Sequence, residues 1–113
     1  MIRNGLYSVT SRVLDGAEGG AIGVSVLLDG TMHGGGSTYC HVGSYVCSSG
    51  KWKGELTLRE HTPAEITSVS ARKVVSMGFN GTYTDDDAEF DATALIGKCS
   101  VRLKVIFRLL TPD

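Results

Sequence analysis

Few residues in this chain could do chemistry, and their spacing decides how far each can go. The histidines are His33, His41 and His61 and the cysteines Cys40, Cys47 and Cys99, the side chains that hold zinc. Zinc sites draw their ligands in close pairs at fixed spacing. The one adjacent pair, Cys40-His41, would point to opposite sides of a strand, and the three histidines fall on different segments, so no metal is expected. Asp85-Asp86-Asp87 with Glu89 and Asp91 offers the carboxylate oxygens that calcium prefers, without the ordered acids, glycine and closing glutamate of an EF-hand loop. It reads as an acidic hairpin tip, solvated or facing a partner. Gly34-Gly35-Gly36-Ser37 could cradle a phosphate if it opened a helix. The next segment, Thr38-Tyr39-Cys40-His41-Val42, is strand-like, and neither the P-loop nor the dinucleotide glycine spacing occurs. A glycine run between strand-like segments suits a sharp sheet bend or a bulge. Serine, histidine and aspartate are present with no nucleophile elbow to gather them. Asn80-Gly81-Thr82 matches a glycosylation acceptor without a secretory context. No catalytic residue, no cofactor and no enzymatic activity are expected.

The elements that would position these residues are strands. The hairpin from Gly43 to His61 is the plainest: after a turn at Ser48-Ser49-Gly50, Trp52, Leu56 and Leu58 share one parity while Lys51, Lys53, Glu55, Thr57 and Arg59 share the other, the alternation of a strand with one wet face. Leu6 to Val13 and Ala21 to Leu28 read as the first two strands, and Asp29-Gly30 supplies a two-residue turn with positive φ at both positions. Thr62-Pro63-Ala64-Glu65 has the grammar of a short helix start. Strands resume over Lys73 to Thr84 and, past a turn at Asp85 to Glu89, over Phe90 to Ile96. Gly97-Lys98-Cys99 turns the chain into a last strand, Ser100 to Leu110, where Val101, Leu103, Val105, Phe107 and Leu109 alternate with Arg102, Lys104, Ile106 and Arg108. The pattern predicts a mostly β domain of about seven or eight strands with at most one short helix, closed as a small up-and-down antiparallel barrel, since closure removes exposed edges. Such a barrel is filled with side chains or holds one small ligand. Inward apolar residues Trp52, Leu56, Met77, Phe79 and Phe107 are the expected lining of any ligand cavity.

Composition bounds the partners. A single domain is expected from 113 residues, enough to bury roughly two-thirds of the unfolded chain's surface without a staple. The net charge of −1 gives no basis for nucleic-acid affinity or for attachment to an anionic membrane. There are 15 glycines against 2 prolines, which favours turns and bent strands over long helices. The N-terminal stretch has no apolar run of signal-peptide or membrane-helix length, so the expected location is cytoplasmic. With an odd number of cysteines, free buried thiols are expected.

Several stretches together resemble a known family. Asn4-Gly5-Leu6-Tyr7-Ser8-Val9, then Val26-Leu27-Leu28-Asp29-Gly30-Thr31-Met32-His33-Gly34-Gly35, then Tyr39 through Val42-Gly43-Ser44-Tyr45, and finally Arg59-Glu60-His61-Thr62-Pro63 are similar to the GrlR family of negative regulators of type III secretion in bacteria. The match covers roughly the first 63 residues, the rest agreeing only as a β pattern. The resemblance implies a flattened lipocalin-like (calycin-like) barrel with a short helix, forming a homodimer. It also implies sequestration of a protein partner, a transcriptional activator, through a surface loop with an acidic run. That loop falls at Ser48, Ser49, Gly50 and Lys51, which is uncharged and then basic, so the family's acidic motif is not retained. The partner face is then expected at the acidic tip, Asp85, Asp86, Asp87 and Glu89. A barrel binding a small apolar ligand is the alternative expectation.

Overall fold

The computed structural model describes residues 2–14, 20–37, 39–61, 74–96 and 99–113. The expected helix start at Thr62 to Glu65, residues 15–19 between the first two expected strands and the turn at Gly97-Lys98 lie outside them. Eight strands run in chain order: β1 Gly5–Val13, β2 Gly20–Leu28, β3 Thr31–Gly36, β4 Tyr39–Ser48, β5 Lys51–Glu60, β6 Val74–Tyr83, β7 Asp87–Ile96 and β8 Cys99–Pro112. Each pairs antiparallel with the next, and β8 returns to β1, closing the barrel. No sheet edge is left open, which removes the template for edge-to-edge association. Among the described residues no helix is long and apolar enough to cross a membrane.

Three strands depart from the sequence expectation by more than one residue. β7 begins at Asp87, so Asp87, Ala88 and Glu89 belong to a strand and only Thr84 to Asp86 turn the chain. Ala88, Phe90, Ala92 and Ala94 all point inward, and small alanines on the core side hide that alternation in the sequence. The glycine run is the second half of β3 itself, and the register continues through Gly36 against β2 and through Gly35 against β4, so it carries no bulge. β8 runs on to Pro112, with a register shift against β1 between Leu6 and Tyr7.

The glycines sit where neighbouring backbones lie close. A Cβ on Gly34 would lie 2.0 Å from the Val24 carbonyl oxygen, and one on Gly54 would lie 2.0 Å from that of Ser44. Gly23 and Gly43 meet similar obstruction from Gly35 and Glu55. All four sit at inward positions on β2 to β5, stepping obliquely across the strands. Only a residue without a side chain lets backbones approach this closely.

The core occupies the end of the barrel where the short turns and both termini gather. Trp52 lies among Tyr45, Phe79, Phe90 and Phe107, with ring centroids 5.1–5.6 Å away. Phe79 and Phe90 stack at 4.2 Å. The indole Nε1 donates to the Glu89 carbonyl at 2.9 Å, so the one polar atom of the ring is satisfied where it is buried. It reaches β7 across β6 because Gly81, opposite Trp52 in register, carries no side chain.

Candidate functional site

The barrel interior divides along its axis. At the turn end, Tyr7, Leu27, Met32, Tyr45 and Trp52 are buried and pack against one another. Toward the other end, which we call the loop end, inward residues of β1 to β4 and β8 keep partial exposure, among them Val9, Ser11, Gly23, His41 and Leu103. The five residues expected to line a cavity, Trp52, Leu56, Met77, Phe79 and Phe107, do converge inside the barrel. Trp52, Phe79 and Phe107 belong to the interlocked rings, while Leu56 and Met77 face each other nearer mid-barrel.

The inner wall carries one buried polar contact that the sequence does not announce. His41 Nε2 lies 2.9 Å from Ser25 Oγ, and Ser25 is 0% exposed. They sit on β4 and β2, with Gly34 of β3 in register with both. The missing side chain at Gly34 opens the space through which they meet. Burial, reinforced by His33 on the outer face, holds the imidazole below its usual range, so His41 is neutral near pH 7. Its Nδ1 makes no hydrogen bond among the described residues. Among the described residues no carboxylate bonds to this serine and neutral histidine, so the third group that orients a hydrolytic base is not seen there. The pair can donate and accept hydrogen bonds.

Two tyrosines mark the turn end. Tyr7 donates to the Arg3 carbonyl at 2.6 Å, and burial, with a smaller contribution from Tyr45, pushes its phenol up to about 12. Tyr45 Oη is buried with no hydrogen-bond partner among the described residues, and burial raises its pKa although the Gly30 backbone acts in the opposite direction.

The outer surface is divided by charge. The outward positions of β2 to β4 carry Ile22, Val24, Val26, Leu28, Val42 and Val46 beside Thr31, His33, Cys40 and Ser44, with no Asp, Glu, Lys or Arg among them. Ile22 is 80% exposed, Val46 62% and Val42 59%. On the other side, β5, β7 and β8 present Lys51, Lys53, Glu55, Arg59, Asp87, Glu89, Asp91, Arg102, Lys104 and Arg108. A shallow groove of about 300 Å³ lies there over Lys51, Asn80, Thr82, Glu89, Asp91 and Lys104. Its charges answer one another, with Lys104 Nζ 3.7 Å from Glu89 Oε1.

The residues singled out by resemblance lie apart from these features. Ser48, Ser49, Gly50 and Lys51 form the β4–β5 turn, with positive φ at Ser49 and Gly50, a two-residue hairpin exposed at the turn end. Asp85 and Asp86 are the β6–β7 turn at the same end, where Asp86 pairs with Arg3 at 3.2 Å and its carbonyl accepts from Leu109. Asp87 and Glu89 project from the charged outer face of β7. Cys40 and Cys47 are free and half-buried, Cys40 pointing out and Cys47 packing on the core, so the expectation of fully buried thiols is corrected for both. Among the described residues no three His, Cys, Asp or Glu side chains converge where a metal could sit. No protein-family model matches the chain, and no curated protein matches it.

Proposed function

We propose that the protein is a non-enzymatic regulatory binding protein that sequesters a protein partner, such as a transcriptional activator in the cytoplasm of a bacterium, and that it works as a homodimer. One observation carries this reading: an outer sheet face with exposed Ile22, Val24, Val42 and Val46 and no formal charge, on a barrel whose turn end is filled by aromatic rings. Exposed aliphatic side chains gathered on one outer face, separated only by uncharged positions of β3, suit an interaction site. A twofold interface pairs a patch with itself, and an uncharged patch meets its own copy without like-charge repulsion. The face of β2 to β4 therefore serves self-association. That leaves the charged side and the acidic tip, Asp85, Asp86, Asp87 and Glu89, for a partner of opposite charge. The resemblance to GrlR regulators points the same way, with the loop at Ser48 to Lys51 lacking the family's acidic run.

Sedimentation of the wild type and of a Val42→Lys/Val46→Lys variant tests the reading. A dimer that becomes a folded monomer in the variant is expected; a wild type that stays monomeric at the highest soluble concentration overturns self-association. Capture of an activator encoded beside the gene, lost on reversal of Asp85 to Asp87 to lysine, is expected for the partner face, and equal capture removes that face.

A second reading has its own support. The part-exposed inward residues Val9, His41 and Leu103 at the loop end favour a barrel that admits a small apolar molecule, as barrels of this size do elsewhere.

A further inference from the structure

We propose that the loop end of the barrel interior binds a small uncharged molecule with an apolar body and one hydrogen-bonding head, and that His41, held in place by Ser25, recognises the head. The proposal rests on the reading of the barrel as a ligand-binding protein and gives it a ligand class.

The inward positions of the described strands hold no Lys, Arg or Asp, and the one Glu, Glu60, stands at the lip of the loop end, where β5 finishes. Among the described residues, a permanently charged ligand would lose its hydration there with no inward charge except Glu60 at the lip to replace it. An apolar body fits the walls, where Val9, Leu58 and Leu103 pack on the edge of the core without being sealed from solvent. The polar contact is as local as the apolar surface is broad. His41 Nε2 is held by Ser25 Oγ at 2.9 Å, which fixes the ring, and Nδ1 is left without a partner among the described residues. Few, well-placed polar groups in an apolar wall are how small-molecule pockets set orientation.

Burial and the nearby His33 both favour the neutral imidazole. A neutral imidazole has one donor and one acceptor nitrogen and suits a hydroxyl or carbonyl head in either tautomer. A carboxylate head would require His41 to take up a proton against those influences.

The test is a matched series, cyclohexanol, cyclohexane and cyclohexanecarboxylate, titrated into isotope-labelled full-length protein. The His41 ring signals and the Val9 and Leu58 methyl signals are followed by NMR. Cyclohexanol is expected to move both sets saturably and to bind about tenfold tighter than either relative, the worth of one well-made buried hydrogen bond. His41→Phe and Ser25→Ala are expected to keep cyclohexane binding and lose the preference for the alcohol. Ser25→Ala, which removes one oxygen, serves if the histidine variant does not fold. Cyclohexane binding as tightly as cyclohexanol overturns the recognition by the Ser25-held His41 while leaving a ligand-binding barrel standing. Carboxylate binding as tightly overturns the uncharged class. The absence of any saturable shift with all three overturns both this proposal and the ligand-binding reading beneath it.

Discussion

At the scale of single residues, burial has set the acid–base character of the interior, and the consequences run in opposite directions at the two ends of the pH scale. His41 has a folded pKa below its usual value, so the unfolded chain binds more protons below about pH 6.5. Its contribution is therefore fully present above that pH and declines as the pH falls. Tyr7 is the reverse. Its phenol is raised to about 12, so stability is complete below about pH 10 and is lost as the pH rises toward the folded value. Urea unfolding across pH 5 to 11 should show losses on both sides; His41→Phe flattens the acid limb and Tyr7→Phe the alkaline limb. Neither limb changing would show that these groups are not titrating in the folded core. Gly81 gives a second residue-scale outcome. A Cβ there would stand 1.9 Å from the Glu89 carbonyl oxygen, the acceptor of the Trp52 Nε1 bond. Gly81→Ala is expected to destabilise by about 1–3 kcal/mol, the range for overpacking, although alanine is ordinarily the better strand residue by about 0.5–1 kcal/mol. Chemical denaturation with Trp52 fluorescence as the probe reads both the loss and the disturbed indole.

At the scale of elements, the turn end is tied together by contacts between parts far apart in sequence. Asn4 Nδ2 donates to Asp29 Oδ1 at 3.0 Å, and the Asp29 amide donates back to Asn4 Oδ1 at 3.0 Å. The Asp113 amide donates to the Asn4 carbonyl. Asn4 thus clamps the β2–β3 turn, whose Asp29 holds a positive φ of 49°, to both termini. Asn4→Ala should cost about 0.5–1.5 kcal/mol, since the groups it releases are exposed and water can replace it. Amide hydrogen exchange should rise at Asp29 before it rises at Trp52. The elements are largely legible in the sequence because their signals are local. Asp29-Gly30 specifies its hairpin by two residues, and Trp52, Leu56 and Leu58 specify the inner face of β5 by parity. Where the signal is not local, the sequence conceals it. Ala88, Ala92 and Ala94 face the core, but alanine is too small and neutral to mark a buried parity, so the start of β7 lies earlier than the pattern suggests. Gly34 to Gly36 read as a bend or a bulge between strands because glycine opposes strand formation in isolation. Its reason is a neighbouring backbone that only the closed sheet supplies. The His41–Ser25 contact depends on three strands and a missing side chain between them, and neither residue is unusual within its own segment.

At the scale of the whole molecule, closure and charge segregation act together. With every edge paired, the barrel cannot associate by adding a strand, so contacts between copies must form through side chains on an outer face. The faces differ in kind: β2 to β4 present aliphatic side chains without charge, and β5, β7 and β8 present both signs. These differences predict distinct responses to salt. The proposed association through the uncharged face would depend on apolar burial, which screening does not weaken and which salts excluded from protein surfaces strengthen. Binding through Asp85 to Asp87 and Glu89 depends on Coulomb attraction across a wet rim, whose range falls from about 10 Å at 0.1 M to about 3 Å at 1 M salt. Raising sodium chloride from about 0.1 M to about 1 M should therefore leave the sedimentation-derived dimer constant unchanged or tighter. Over the same range a partner bound at the acidic tip should be released. Dimer dissociation by salt would place the self-association on the charged side of the barrel, and the aliphatic face would then be free for the partner.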